Sequence, residues 1–205
     1  TIAEVSARLE REGTEHLPGW NDEIYLELHR GTLTSQSRTK RANRRCEYQL
    51  HDAEFLSAMA ALRTGAPYPA EALHRAWEML LLNQFHDILP GCSITEVYRD
   101  TARDHAEVRD IALAATEAAL TALGGLAPAE ARFLIVNPTS FAGPRIGFVP
   151  GGAPRGFADL RSGAPLLTQA VEGGTLAYLP VCPAYGVVAL GDAAPFTSDT
   201  GLVAE

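Results

Sequence analysis

Between residues 42 and 60, apolar side chains recur at steps of three and four as Ala42, Cys46, Leu50, Ala53, Leu56 and Ala60. That period lays them along one face of a helix running from about Ser35 to Arg63, and such a face must be buried against something. Thr64-Gly65 ends it, glycine suiting the left-handed conformation of a C-terminal cap. A second helix is predicted from Pro69, whose missing N–H costs nothing in a first turn, with Glu71 well placed against the helix dipole. Its face is Leu73, Trp77, Leu80, Leu81 and Gln84. Ser93-Ile-Thr-Glu96 has the spacing of a capping box and predicts a third helix from there. This helix continues through Ile94, Val97, Tyr98, Ala102, His105, Val108, Ala112 and Ala115 to about Leu123, before Gly124-Gly125 stops it. Three helices joined by short turns bury one shared core most simply as an antiparallel three-helix bundle.

The flanks follow other periods. Thr1 to Gly13 reads as a charged helix, and Glu23-Ile-Tyr-Leu-Glu-Leu-His29 alternates apolar and polar positions as a two-faced strand does. After Pro128, four stretches bounded by Pro or Gly read as short strands: Arg132 to Asn137, Arg145 to Val149, Leu176 to Pro180 and Gly186 to Leu190. Composition shifts near residue 125, beyond which most of the Gly and Pro lie. The expected fold is therefore α+β, a three-helix bundle followed by a partial antiparallel β-sandwich. The expected division is a linking region ending in a strand over 1–34, the bundle over 35–125 and the β-rich part over 130–205. With about five strands and no closing helix, the β part reads as truncated or continued by another segment. The lack of an initiator Met likewise suggests a chain that starts inside a longer protein.

Composition narrows the function classes. A hydrophobic content of 46% over 205 residues is ordinary for globular domains, and a net charge of −8 argues against a general nucleic-acid binder. Cys46, Cys92 and Cys182 are odd in number and widely spaced, which indicates neither a disulfide framework nor a zinc cluster and fits a reducing compartment. No apolar run is long enough to cross a bilayer, and the first residues lack the apolar stretch of a signal peptide. A cytoplasmic location is the expectation.

The chemistry-bearing candidates are few. Asn83-Gln-Phe-His-Asp-Ile-Leu-Pro-Gly91 places four polar side chains at the end of an otherwise apolar helix. A neutral imidazole at His86 can bind zinc, the adjacent Asp87 can hold sugar hydroxyls, and Asn83 and Gln84 can orient both from behind. The plain alternative is that His86 and Asp87 cap the helix and meet solvent. No second ligand stands at i+3 or i+4 from His86, so any co-ligands come from elsewhere in space. Arg38, Lys40, Arg41, Arg44 and Arg45 put five positive charges into eight residues of an acidic protein. They read either as an anion site or, preferably, as a face docked on an acidic surface. His29-Arg-Gly31 lies where the strand turns toward the first bundle helix, and reads equally as cleft or turn. His16, His51, His74 and His105 read as surface or helix-face residues, and no hydrolase triad or nucleotide motif is present.

Three stretches together resemble one family: Tyr25-Leu-Glu-Leu-His-Arg-Gly-Thr-Leu-Thr-Ser-Gln36 with Lys40-Arg-Ala-Asn-Arg-Arg-Cys-Glu47, then Asn83 to Gly91, then Ile135-Val-Asn-Pro138. Their order and spacing resemble the class II α-mannosidases of glycoside hydrolase family 38, in the bacterial and cytosolic branch. The resemblance implies a zinc-dependent, retaining enzyme acting on terminal α-mannosides, of which this chain is the middle. It implies that His86 is one zinc ligand, that Asp87 contacts mannose hydroxyls, and that His29 lies near the sugar subsite. It also implies that an N-terminal (β/α) barrel of the same protein supplies the nucleophile, the acid/base and the remaining ligands, so that no catalytic residue lies in this chain. On that reading the chain alone is inactive and holds no zinc. The alternative is a non-catalytic helical scaffold that binds a protein partner through its basic first bundle helix.

Overall fold

The structure, a computed structural model, describes residues 1–13, 15–21, 30–151, 156–194 and 196. The strand expected over Glu23 to His29 lies outside the described residues. Among the described residues four helices precede six strands, so the α+β class expected from the sequence is what forms. Helix α1 (Ile2–Glu12) buries no residue and rests on local bonds. Thr1 and Glu4 close a capping box, and Arg8 pairs with Glu12 at 2.6 Å one turn on.

Helix α2 (Ser37–Thr64) buries Cys46, Leu50, Ala53, Leu56 and Ala60, the row its periodicity predicts. At its N-terminal end the buried positions are instead polar, Thr39 and Asn43, while Ala42 is half-buried. Gly65 ends the helix at φ +74°, its N–H donating to the Ala61 carbonyl at 3.0 Å. Helix α3 (Ala70–Asn83) starts just after Pro69, which is its N-cap. Its buried row is Leu73, Ala76, Leu80 and Asn83, and the predicted core residue Leu81 is exposed. The difference is a rotation of the helix about its axis, because the small Ala76 lets α3 lie close to its neighbours along that row.

Helix α4 (Thr95–Gly124) buries Thr101, His105, Val108, Ala112, Ala115, Ala119 and Leu123, whereas Ile94 and Ala102 are exposed. The expected capping box at Ser93 and Glu96 does not form, since Ile94 is the N-cap and the Ser93 hydroxyl is committed to the Asp87 carbonyl at 2.6 Å. One buried cluster takes Cys46, Leu50 and Ala53 from α2, Leu73, Ala76 and Leu80 from α3, and Val108, Ala112 and Ala115 from α4. A second joins Leu56 and Ala60 to Ala119 and Leu123, with Val136 of the following strand against it.

Strands β1 (Phe133–Asn137), β2 (Gly143–Pro150), β3 (Gly156–Asp159), β4 (Leu167–Val171), β5 (Gly174–Cys182) and β6 (Gly186–Ala193) make two antiparallel sheets. Their orders are β1-β6-β3 and β2-β5-β4. Phe157, Val188 and Leu190 of the first sheet share a core with Val149, Ala177, Leu179 and Cys182 of the second. Burying a residue such as Phe157 or Leu190 fully is worth about 1.5–3 kcal/mol. Gly147 permits the close approach of the two sheets, since a Cβ there would lie 2.5 Å from the Ile135 Cδ1. The sequence pattern located β1, β2, β5 and β6 but not β3 or β4. Those two are short, and their state is set by the long partners β6 and β5 against which they pair.

Candidate functional site

The turn that follows α3 holds the residues of interest. Asn83, the last helical residue, is buried, and its amide donates to the Met79 carbonyl at 2.9 Å and to Asp104 Oδ2 of α4 at 2.8 Å. The Gln84 amide donates to Asn43 Oδ1 at 3.1 Å and Glu47 Oε1 at 2.9 Å, both on α2. Asn83 and Gln84, expected to orient His86 and Asp87 from behind, bond to the neighbouring helices. They fasten the end of α3 to its two neighbours, because at a buried helix end those amides must find partners inside the protein.

Beyond Gln84 the backbone folds on itself, with Ile88 and Leu89 N–H groups donating to the Phe85 carbonyl at 2.9 and 3.0 Å. The far side of this turn is tied to the start of α4. Tyr98 Oη donates to the Ile88 carbonyl at 3.2 Å and accepts from the Ser93 N–H at 3.0 Å. It is also tied to α2, where the Lys40 ammonium donates to the carbonyls of Leu89 at 2.9 Å, Pro90 at 3.3 Å and Ser35 at 2.6 Å. Gly91 has φ +101°, and a Cβ on it would lie 2.6 Å from Ser35 Cβ. The stretch leading into α2 and the turn after α3 are thus pressed together, although they are far apart in sequence.

From this fastened turn His86 and Asp87 project outward, their side chains 78% and 61% exposed. His86 Nε2 lies 3.5 Å from Asp87 Oδ2, and the ring of Phe85 lies 4.2 Å from the His86 imidazole between centroids. An exposed imidazole beside an exposed carboxylate can present a metal donor and a hydrogen-bond acceptor to the same approaching group. Among the described residues no three His, Cys, Asp or Glu side chains gather where they could hold a metal ion. His29 lies outside the described residues, so its relation to this turn is not part of the geometry.

The remaining candidates divide. Within the basic cluster, Lys40 is consumed by backbone carbonyls and Arg44 pairs with Glu47 while lying over the Tyr48 ring. His51 pairs with Asp52 at 3.1 Å and His74 with Glu78 at 3.3 Å, all on the surface. His105 takes the helix-face alternative: it is 5% exposed, and burial pushes its imidazole pKa down against the opposing charge of Asp104. Its neighbour Cys46 donates its thiol to the His105 carbonyl at 3.6 Å, and burial raises that thiol's pKa. Lys40, Ser93 and Tyr98 are the functional supports that sequence reasoning missed. The spacing of Ser93 and Glu96 pointed instead to a cap, and no local pattern marks a bond formed across about 50 residues.

With this geometry in view, comparison with other proteins is informative. Residues 27–123 match the family described as the Alpha mannosidase middle domain. The chain is similar to human Alpha-mannosidase 2C1, 40% identical over 125 residues, which is 60% of this chain and 12% of that protein. Alpha-mannosidase G of Dictyostelium discoideum is 46% identical over 89 residues, 43% of this chain and 8% of that protein. A glycosyl hydrolase family 38 protein from Enterococcus faecalis superposes on all of this chain and 29% of its own, with a TM-score of 0.65 at 21% identity. The chain therefore spans only a small part of the relatives it matches. The matched segment takes in the Lys40 anchor, the fastened turn and the exposed His86-Asp87 pair, and over residues 27–123 the chain is similar to the Alpha mannosidase middle domain.

Proposed function

We propose that this chain is the helical middle part, and the start of the β-rich C-terminal part, of a zinc-dependent retaining α-mannosidase that hydrolyses terminal α-mannosides. In this reading residues 35–125 are an antiparallel three-helix bundle, 130–205 open a β-sandwich domain, and 1–34 lead in from a catalytic barrel of the same protein. The whole works in the cytoplasm on an α-mannoside or oligosaccharide. The observation that carries the proposal is the outward presentation of His86 and Asp87 from a turn held by both α2 and α4, inside the segment similar to the mannosidase middle domain. That similarity favours the enzyme over a non-catalytic scaffold.

The donor set fits a shared metal centre. His86 offers one imidazole, and the further donors a zinc needs in its four-coordinate sites would come from the barrel. Bound zinc fixes and polarises hydroxyls of the sugar. Asp87, its side chain 61% exposed beside His86, accepts hydrogen bonds from ring hydroxyls. Fastening by Lys40, Ser93 and Tyr98 holds both side chains in place before the sugar arrives, which lowers the ordering cost of binding. The two carboxylates of a retaining glycosidase, nucleophile and acid/base, belong to the barrel.

His86→Ala in the complete enzyme tests this. Zinc content and turnover of p-nitrophenyl α-mannoside should fall together, with activity down at least about 100-fold. Full zinc occupancy with unchanged turnover would remove His86 from the site.

A further inference from the structure

We propose that the arginine-lined groove between the N-terminal half of α2 and α4 is a binding site for a phosphate-bearing anion. Arg38, Arg41 and Arg45 stand at i, i+3 and i+7 on α2, one face of the helix, and Arg109 of α4 lines the same groove. The groove has a volume of about 540 Å³, and no Asp or Glu is among its lining residues. Arg109 lies 3.5 Å from Asp110, outside the lining, and among the described residues Arg38, Arg41 and Arg45 have no acidic partner. In a protein of net charge −8, three guanidinium groups without an acidic partner, gathered beside Arg109, call for an anion from outside.

Two further observations say what kind of anion. Helix α2 begins in this groove at Gln36, which adopts φ +50° and gives no side-chain cap, and its first turn carries no acidic residue. The Thr39 and Lys40 N–H groups already donate to the Gln36 carbonyl, which leaves Ser37 and Arg38 ahead of the first intrahelical bond, at the positive end of a helix dipole that favours an oxyanion. His105 is also among the lining residues, 5% exposed, with a buried Nε2 that has no hydrogen-bond partner. A concave site with planar donor forks beside a helix N-terminus suits a compact, multiply charged oxyanion such as a phosphate ester or diphosphate. A broad acidic protein surface would leave the base of the groove unfilled.

Isothermal titration calorimetry of the chain with inorganic phosphate and with pyrophosphate, at constant ionic strength and with chloride as the control, tests the site. Saturable binding is expected, tighter for pyrophosphate, with Arg41→Gln and Arg45→Gln each weakening it about tenfold. Both side chains are exposed, so these variants keep the fold, which circular dichroism checks. Arg75→Gln, which removes an arginine paired with Glu107 away from the groove, should leave the affinity unchanged. Absence of saturable heat up to about 10 mM pyrophosphate overturns the proposal. So does equal weakening by Arg75→Gln, which marks a diffuse charge effect. Binding of a poly-glutamate peptide without binding of either phosphate also overturns it, and reassigns the groove to protein docking.

Discussion

Lys40 donates from its ammonium to the carbonyl of Leu89 at 2.9 Å, joining the first turn of α2 to the turn that carries His86 and Asp87. The same nitrogen reaches the carbonyls of Pro90 and Ser35, so one cation closes the loop ends of two distant segments. Its loss has a direct consequence. Lys40→Met keeps most of the stem and removes three charge-assisted bonds, and should lower stability by about 1.5–3 kcal/mol. Urea unfolding reads the loss, and amide exchange should speed up at Ile88, Leu89 and Gly91 before it does in the helix core. Unchanged exchange there would show that the turn stands without Lys40.

Gly91 is the other half of that contact. At φ +101°, with a Cβ position 2.6 Å from Ser35 Cβ, Gly91→Ala meets both backbone strain and a clash. A loss of about 1–3 kcal/mol is expected from thermal unfolding. Gly125→Ala, at an αR position with φ −63°, is the control and should change stability little. Equal effects at the two glycines would contradict the packing of the turn against residue 35.

His105 predicts a pH dependence. Burial holds its folded pKa below the ordinary 6.5, so the unfolded chain binds more protons between those two values. The stability that goes with the neutral, buried imidazole is complete above 6.5 and is lost as pH falls through the folded pKa. Melting temperature should therefore drop on acidification below about pH 6.5, and His105→Leu should flatten that part of the profile. Parallel profiles for the two proteins would rule out His105 as the titrating group.

The chain by itself should be catalytically silent. With one imidazole and one carboxylate at the turn and no three-ligand cluster among the described residues, the purified chain should retain no zinc after dialysis and release no p-nitrophenol from p-nitrophenyl α-mannoside. Elemental analysis and a simple absorbance assay suffice. Turnover above background would mean that the catalytic carboxylates lie within this chain.

Much of this was legible beforehand. The helical rows from Cys46 to Ala60 in α2 and from His105 to Ala115 in α4 are legible in the sequence because a period of 3.6 is a property of consecutive residues, and Gly65 marks its cap for the same local reason. The stretches around His86 carried the family resemblance in their order, independently of any contact. The tertiary structure decided what local pattern could not. It turned α3 so that Asn83 rather than Leu81 is buried, spent Asn83 and Gln84 on α4 and α2, diverted Ser93 from the predicted cap, and enclosed His105 while leaving His86 outside. Each of these depends on which rows the helices lay against one another. Burial and hydrogen-bond partners belong to that arrangement rather than to any single stretch of chain.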